Sequence, residues 1–226
     1  MSAIPSSYKT AARHSKQTTD ILTINANKNI LDATSKDFYN VLLKQFSTRP
    51  TLEKRYLDIR QEDWKLIYML PWNTLIDSES RCFQYKFLHR ILATNYFLKK
   101  IGKIEDDECS FCHNSVETLE HLFYECIHTR NLWNEIIESL LKKLLINSIT
   151  LNDIFLGLLD TKYSETANTI ITIAKKYIWK SRSNNKTPIF QHFETFLQNY
   201  IELEKRAFDR LDKLKLFYEK WKLVLD

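Results

Sequence analysis

Glycine is nearly absent. The 226 residues include two, Gly102 and Gly157, alongside four prolines. A sheet protein with many tight turns needs glycine at positive-φ positions, and a nucleotide-binding loop needs it for close approach to phosphate. Composition therefore argues against both and leaves helices joined by polar loops. Long apolar runs are missing too: none approaches the ~18 residues that a membrane span requires. The N-terminal stretch MSAIPSSYKTAARHSKQTTD lacks the apolar centre of a secretory signal. The expectation is an intracellular chain, nuclear or cytoplasmic, with no membrane partner. There is no glycine-rich phosphate loop and no nucleophile motif, so neither enzymatic activity nor a small-molecule substrate is expected.

Hydrophobic residues make up 44% of the chain and aromatics 13%, enough for a real core. The formal net charge is +5 and the isoelectric point about 8.9. This mild basicity permits contact with nucleic acid without demanding it.

Residues 1–34 read as an irregular segment in which Ile21-Leu22-Thr23-Ile24 is a candidate short strand. Residues 35–61 read as a short helical segment, with Ser35 as N-cap, Phe38, Val41, Leu42 and Phe46 on one face, and a stop at Pro50. A second short helix covers roughly Leu52–Ile59. Residues 62–145 form the expected central domain. Its first helix carries Trp64, Ile67 and Tyr68 and stops at Pro71. Its second, capped by Asp77 or Ser78, repeats Phe83, Phe87 and Ile91 at four-residue steps. A short helix then runs from Thr94 to near Gly102. Beyond the cysteine-rich stretch, TRNLWNEIIESLLKKLL is strongly amphipathic. Residues 146–226 form a C-terminal helical region: a turn at Asn152–Leu159, a helix over SETANTIITIAKKYIWKSR, a break at SNNKTP, and apolar residues from Ile189 to Leu225 that fit one long helix. Glu204 interrupts that last seam, so a full coiled coil is not expected. The fold class is mainly α: an irregular helical domain with a small CCHC zinc knuckle and a long C-terminal helix.

The knuckle is CSFCHNSVETLEHLFYEC. Its spacing, Cys109-x2-Cys112-x8-His121-x4-Cys126, supplies the four N/S ligands that structural zinc takes in a tetrahedron. Thr118 can cap a short helix carrying His121, with Cys126 just over one turn further on. His113 adjoins Cys112 and fits the same tetrahedron poorly. His128 is a weaker substitute for His121. Cys82 lies far off and reads as a buried thiol. The competing reading is three buried cysteines beside a surface histidine. Four protein ligands leave no open position, so any Zn2+ here is structural rather than catalytic. The neighbouring Glu105-Asp106-Asp107-Glu108 reads as a solvated acidic loop, not a catalytic carboxylate pair.

Residues 101–130 hold two basic residues, Lys103 and Arg130, and seven acidic ones, for a net −5. Phosphate contact needs Lys or Arg, so the knuckle is a poor phosphate binder. Two basic sets lie elsewhere: Arg81, Lys86, Arg90, Lys99 and Lys100; and Lys175, Lys176, Lys180, Arg182 and Lys186, with Tyr177 and Trp179 interleaved for stacking. Both sets also read as solvated helix faces, with the two aromatics in the core.

The order of motifs resembles the zinc-binding region at the C-terminal end of reverse transcriptases of LINE-type non-LTR retrotransposons. The residues that carry the resemblance are Phe83, Tyr85 and Leu98, then Cys109 and Cys112, Glu117-Thr118-x-x-His121-Leu122-Phe123, Cys126 and Trp133. It is strongest from about Trp64 to Trp133. Ala3-Ile4-Pro5, Tyr8-Lys9, Ser35-Lys36, Tyr39 and the Tyr177–Lys186 helix extend it more loosely. The Tyr/Phe-x-Asp-Asp polymerase site of that family and its nuclease domain are missing. The resemblance implies a C-terminal fragment or derivative that does not itself polymerise. It also implies RNA or DNA as partner, together with the polymerase portion of a retrotransposon protein.

Overall fold

The computed structural model describes residues 23–24, 28–29, 32–46, 48, 50–159 and 162–225. The chain divides into two compact units, Met1–Thr51 and Leu52–Asp226.

In the first unit, β1 (Thr23–Ile24) pairs antiparallel with β2 (Lys28–Asn29), Thr23 opposite Asn29. The strand expected around Ile21–Ile24 is thus present in its second half, and its first half lies outside the described residues. Helix α1 spans Ser35–Phe46. The cap is Thr34 rather than Ser35. The Thr34 carbonyl accepts from Asp37 N at 2.9 Å, and its own N–H donates to the Asp37 carboxylate at 2.7 Å. The acid in the first turn thus pins the chain one residue earlier than Ser35 would.

The second unit is a stack of helices. Helix α2 (Thr51–Arg55) leads in at its edge, followed by α3 (Gln61–Thr74), α4 (Ser78–Leu88) and α5 (Asn95–Lys100). After the knuckle come α6 (Ile127–Ile136), α7 (Leu151–Leu156), α8 (Ser164–Ser183), α9 (Phe190–Arg210) and α10 (Leu214–Leu225). Local chemistry accounts for most boundaries. Asp77 caps α4 by accepting from Ser80 N at 2.7 Å. Thr150 and Asp153 form a reciprocal capping box on α7. Gly157, at φ +87°, ends α7 where a Cβ would stand 2.4 Å from a Leu70 methyl. No other residue type fits that place.

Two expectations are corrected. Pro71 does not stop α3, which continues to Thr74 with Pro71 buried inside it. The Thr74 hydroxyl donates to Leu70 O at 2.8 Å, and Leu75 N closes the last turn on Pro71 O at 3.2 Å, so the end stays bonded despite the missing proline N–H. The C-terminal seam is also not one helix. The long helix α9 ends at Arg210, the chain turns through Asp212 at φ +55°, and α10 folds back on α9.

Helix α8 is the central strut. It packs on α3, α4, α9 and α10, and Ile170, Ile171, Ala174 and Ile178 are all buried. Phe87 of α4 joins the layers: its ring lies 4.8 Å edge-on from Phe123 and 4.8 Å from Phe155 of α7. Among the described residues, no helix is long and apolar enough to cross a membrane.

Candidate metal centre

The four predicted ligands meet. The Sγ atoms of Cys109, Cys112 and Cys126 and a ring nitrogen of His121 all lie within 4.8 Å of one another. Cys109 Sγ is 3.9 Å from Cys126 Sγ, and Cys112 Sγ is 3.3 Å from His121 Nε2. Zinc bonds of about 2.3 Å to sulfur and about 2.0 Å to nitrogen give tetrahedral edges of about 3.8 Å (S···S) and about 3.6 Å (S···N). These two edges lie close to those of a zinc tetrahedron, and the remaining ones reach at most 4.8 Å.

The local fold explains how. Glu108 and Val116 form a single antiparallel bridge, Cys109 N donates to Ser115 O at 2.8 Å, and His113 N donates to Cys109 O at 3.0 Å. This tight loop turns at His113, φ +53°, which throws the His113 ring outward and leaves Cys109 and Cys112 facing inward. Phe111 N points at Cys109 Sγ, 3.4 Å away. On the other side, Thr118 Oγ1 accepts from His121 N at 3.0 Å, the cap expected from the sequence.

His121–Glu125 then forms a π-helical turn, closed by Cys126 N on His121 O at 2.8 Å. On an α-helix of 3.6 residues per turn, positions five apart point about 140° away from each other. The wider turn, followed by an extended Cys126, brings the two ligands to one point. The carbonyls released by this break find other donors. Thr129 Oγ1 bonds Leu122 O at 2.8 Å, and Trp133 Nε1 bonds Phe123 O at 2.7 Å.

Electrostatics favours a cation. The hydrogen bond between Cys109 and Cys126, reinforced by burial, pushes the Cys109 thiol well above its usual range. The same bond pulls the Cys126 thiol down. Burial lowers His121 and keeps it neutral near pH 7. A cation bound here would displace the proton that the hydrogen bond and burial hold on Cys109.

One residue outside the expected ligand set anchors the knuckle. Glu117, read from the sequence as surface charge, is 0% exposed. Its carboxylate accepts from Asn95 N at 2.9 Å, from Ser110 N at 2.8 Å, and from the Ser110 hydroxyl. Arg182 of α8 approaches to 2.9 Å and also donates to Asn95 Oδ1 at 2.7 Å. Glu117 thereby clamps the knuckle to α5 and α8. Its cation lies 65 positions away, so no local pattern could have revealed it. Glu120 is half-buried: against the cost of burial, its bond to Arg90 holds its carboxyl below the usual range. Asp107 pairs with Lys99 at 2.8 Å. Part of the knuckle's acidity is consumed within the fold.

The basic residues separate into spent and free. Lys175 is buried, contrary to expectation. Its ammonium donates to Ile154 O at 2.8 Å and sits 4.4 Å over Phe87, and burial lowers its pKa to about 7. It cannot reach a phosphate. Arg90, Lys99 and Arg182 are committed to Glu120, Asp107 and Glu117. Arg81 donates to Leu75 O and lies over Trp72. Lys176 bonds Ser80 and approaches Glu79 at 3.3 Å. Lys86, Lys100, Lys180 and Lys186 are exposed, with no carboxylate in ion-pair range among the described residues. Tyr177 is buried in the core, and half-buried Trp179 packs against it, stacked on Phe123 with the Arg182 guanidinium over its ring. Cys82, expected to be buried, is exposed.

Residues 34–133 match the family described as zinc-binding in reverse transcriptase. That span covers α1 to most of α6 and includes all four cluster residues. No curated protein matches the chain.

Proposed function

We propose that Cys109, Cys112, His121 and Cys126 hold one structural Zn2+, and that the chain is a nucleic-acid-binding module derived from a non-LTR retrotransposon reverse transcriptase, without polymerase or endonuclease activity of its own. One observation carries the metal assignment: three thiols and an imidazole converge within 4.8 Å inside the segment that matches the zinc-binding family. All four positions of a tetrahedron are taken by protein, so the ion organises the loop and activates no water. The nucleic-acid reading is supported by the family match and by the exposed lysines left free on α4, α8 and the turn after α8. Such a module acts inside the cell, in nucleus or cytoplasm.

Metal analysis of purified protein is expected to give one zinc per chain, and fluorescence anisotropy to show salt-dependent binding of RNA or DNA. Protein that folds equally well without metal removes the first assignment, and absence of binding at low salt removes the second.

A second reading is docking on the polymerase portion of a retrotransposon protein. It is favoured by Leu66, Met69 and Trp72, which lie exposed at three-residue steps along α3, and by exposed Tyr85 of α4 nearby in sequence.

A further inference from the structure

We infer that a single nucleic-acid strand is gripped along one continuous track across α4, α8 and the start of α9. This deepens, and rests on, the nucleic-acid reading above. An open groove of about 1040 Å³ runs between α4 and α8. Its floor is apolar, with exposed Ile91 and half-buried Phe196 beside buried Phe83 and Leu92, and its cationic rim is Lys86, Lys176 and Lys180. Lys86 belongs to one basic set of the sequence and the other two to the second, so the fold merges the sets into a single surface. Glu79 also stands on the rim and pairs with Lys176 at 3.3 Å, and the Asp77 carboxylate lies 3.8 Å from the same ammonium, so Lys86 and Lys180 are the free cations of the rim.

The groove does not end at α8. Lys180 and Phe196 also line a second pocket of about 160 Å³, whose other walls include Lys186, Thr187, Ser181 and His192. This pocket sits at the N-terminal end of α9, a 21-residue helix whose first turn has no side-chain cap. Two lysines, hydroxyls and the positive end of a long helix form an environment suited to a phosphate. Lys180 joins the two, with its ammonium 5.3 Å over the Phe196 ring.

The shape selects the partner. A duplex keeps its base faces stacked inside and presents base edges, sugars and phosphates, so the apolar floor would meet no base face. A single strand can lay base faces on that floor while its phosphates meet the lysine rim and the end pocket. RNA and DNA share this chemistry.

The test uses the full zinc-loaded chain and labelled single-stranded RNA, single-stranded DNA and duplex DNA, with anisotropy titrations across a salt series. Lys180→Glu/Lys186→Glu, both exposed positions, is expected to weaken single-strand binding more than tenfold and to flatten the salt slope by about 1.4, two contacts of about 0.7 each. Lys143→Glu, on an exposed face elsewhere, is expected to leave affinity within about twofold, and circular dichroism checks that both variants fold. Wild-type binding that survives the double variant, or that falls equally with Lys143→Glu, overturns the track while leaving the broader reading standing. Duplex bound as tightly as single strand overturns the strand preference. No binding of any of the three by wild type overturns the broader reading and the track together.

Discussion

The knuckle and the α9–α10 hairpin both bury a carboxylate held by a distant cation, yet they are stabilised in different ways. In the hairpin, Glu204 is 1% exposed and accepts from Trp221 Nε1 at 2.6 Å and Lys220 Nζ at 2.8 Å. Around this pair the hairpin buries Phe193, Leu197, Tyr200, Phe217 and Trp221. The ion pair fixes which faces meet, while apolar burial supplies most of the stability. In the knuckle the buried apolar side chains Leu119, Leu122 and Phe123 lie on the His121 side. Its irregular loop between Cys109 and Val116 buries little beyond Phe111 and the cysteines, so the proposed metal would take the place that the aromatic layer takes in the hairpin. A carboxylate clamp orients a segment; it does not by itself hold one together.

The largest effect that separates the two regions is metal removal. Structural zinc contributes apparent free energies of about 10–16 kcal/mol in small zinc modules. A strong chelator is expected to abolish slow amide exchange across Cys109–Cys126 while α9 and α10 keep theirs, and Cys112→Ser should do the same. Equal protection in both regions after chelation would break the comparison.

Next come the two clamps. Glu204→Ala strips the buried carboxylate from Lys220, 5% exposed at its side chain, which keeps Glu165 at 3.5 Å and Thr74 O at 3.1 Å, and leaves buried Trp221 Nε1 without its acceptor. Urea denaturation is expected to show a loss of about 1–3 kcal/mol. Glu117→Ala should cost a similar amount, but with one zinc still bound per chain, because the clamp positions the knuckle without ligating. Loss of the metal in that variant would mean that clamp and tetrahedron are a single device.

An effect of different kind, dependent on pH, involves Lys175. Its folded pKa, about 7, lies below the ~10.4 of an unfolded lysine. Between these values the unfolded chain binds the extra proton, so this residue makes stability rise with pH from about 7 to about 10. Lys175→Met should flatten that rise, read from urea midpoints at pH 7 and pH 10; an unchanged rise would mean that other groups produce it. The smallest effect is at Thr118. Thr118→Ala removes the cap on His121 N and is expected to cost about 1 kcal/mol of zinc-loaded stability, measured by thermal melting.

How much was legible depended on the range of the interaction. The ligand spacing, the Thr118 cap and the helix over Ser164–Ser183 rest on neighbours a few residues apart and could be read directly. Pro71 misled, because the consequence of a missing N–H depends on whether a neighbour such as Thr74 Oγ1 serves the last turn. Glu204 was read as a flaw in a helix seam; Lys220 and Trp221, brought back by the turn at Asp212, make it the polar centre of a hairpin. Cys82 and Lys175 were misplaced because helical period gives the angle of a residue on its helix but not which angle faces the core.

The sequence by itself determined the helical class, through scarce glycine and 3.6-residue periodicity, and the four candidate ligands, through their spacing. Tertiary structure alone decided which charges remain available. It buried Lys175, spent Arg182 on Glu117 and Arg90 on Glu120, and set Lys86, Lys180 and Lys186 along one surface. Charge is a property of a residue, but availability depends on what lies opposite it across the fold, and those partners here are 30 to 65 positions away.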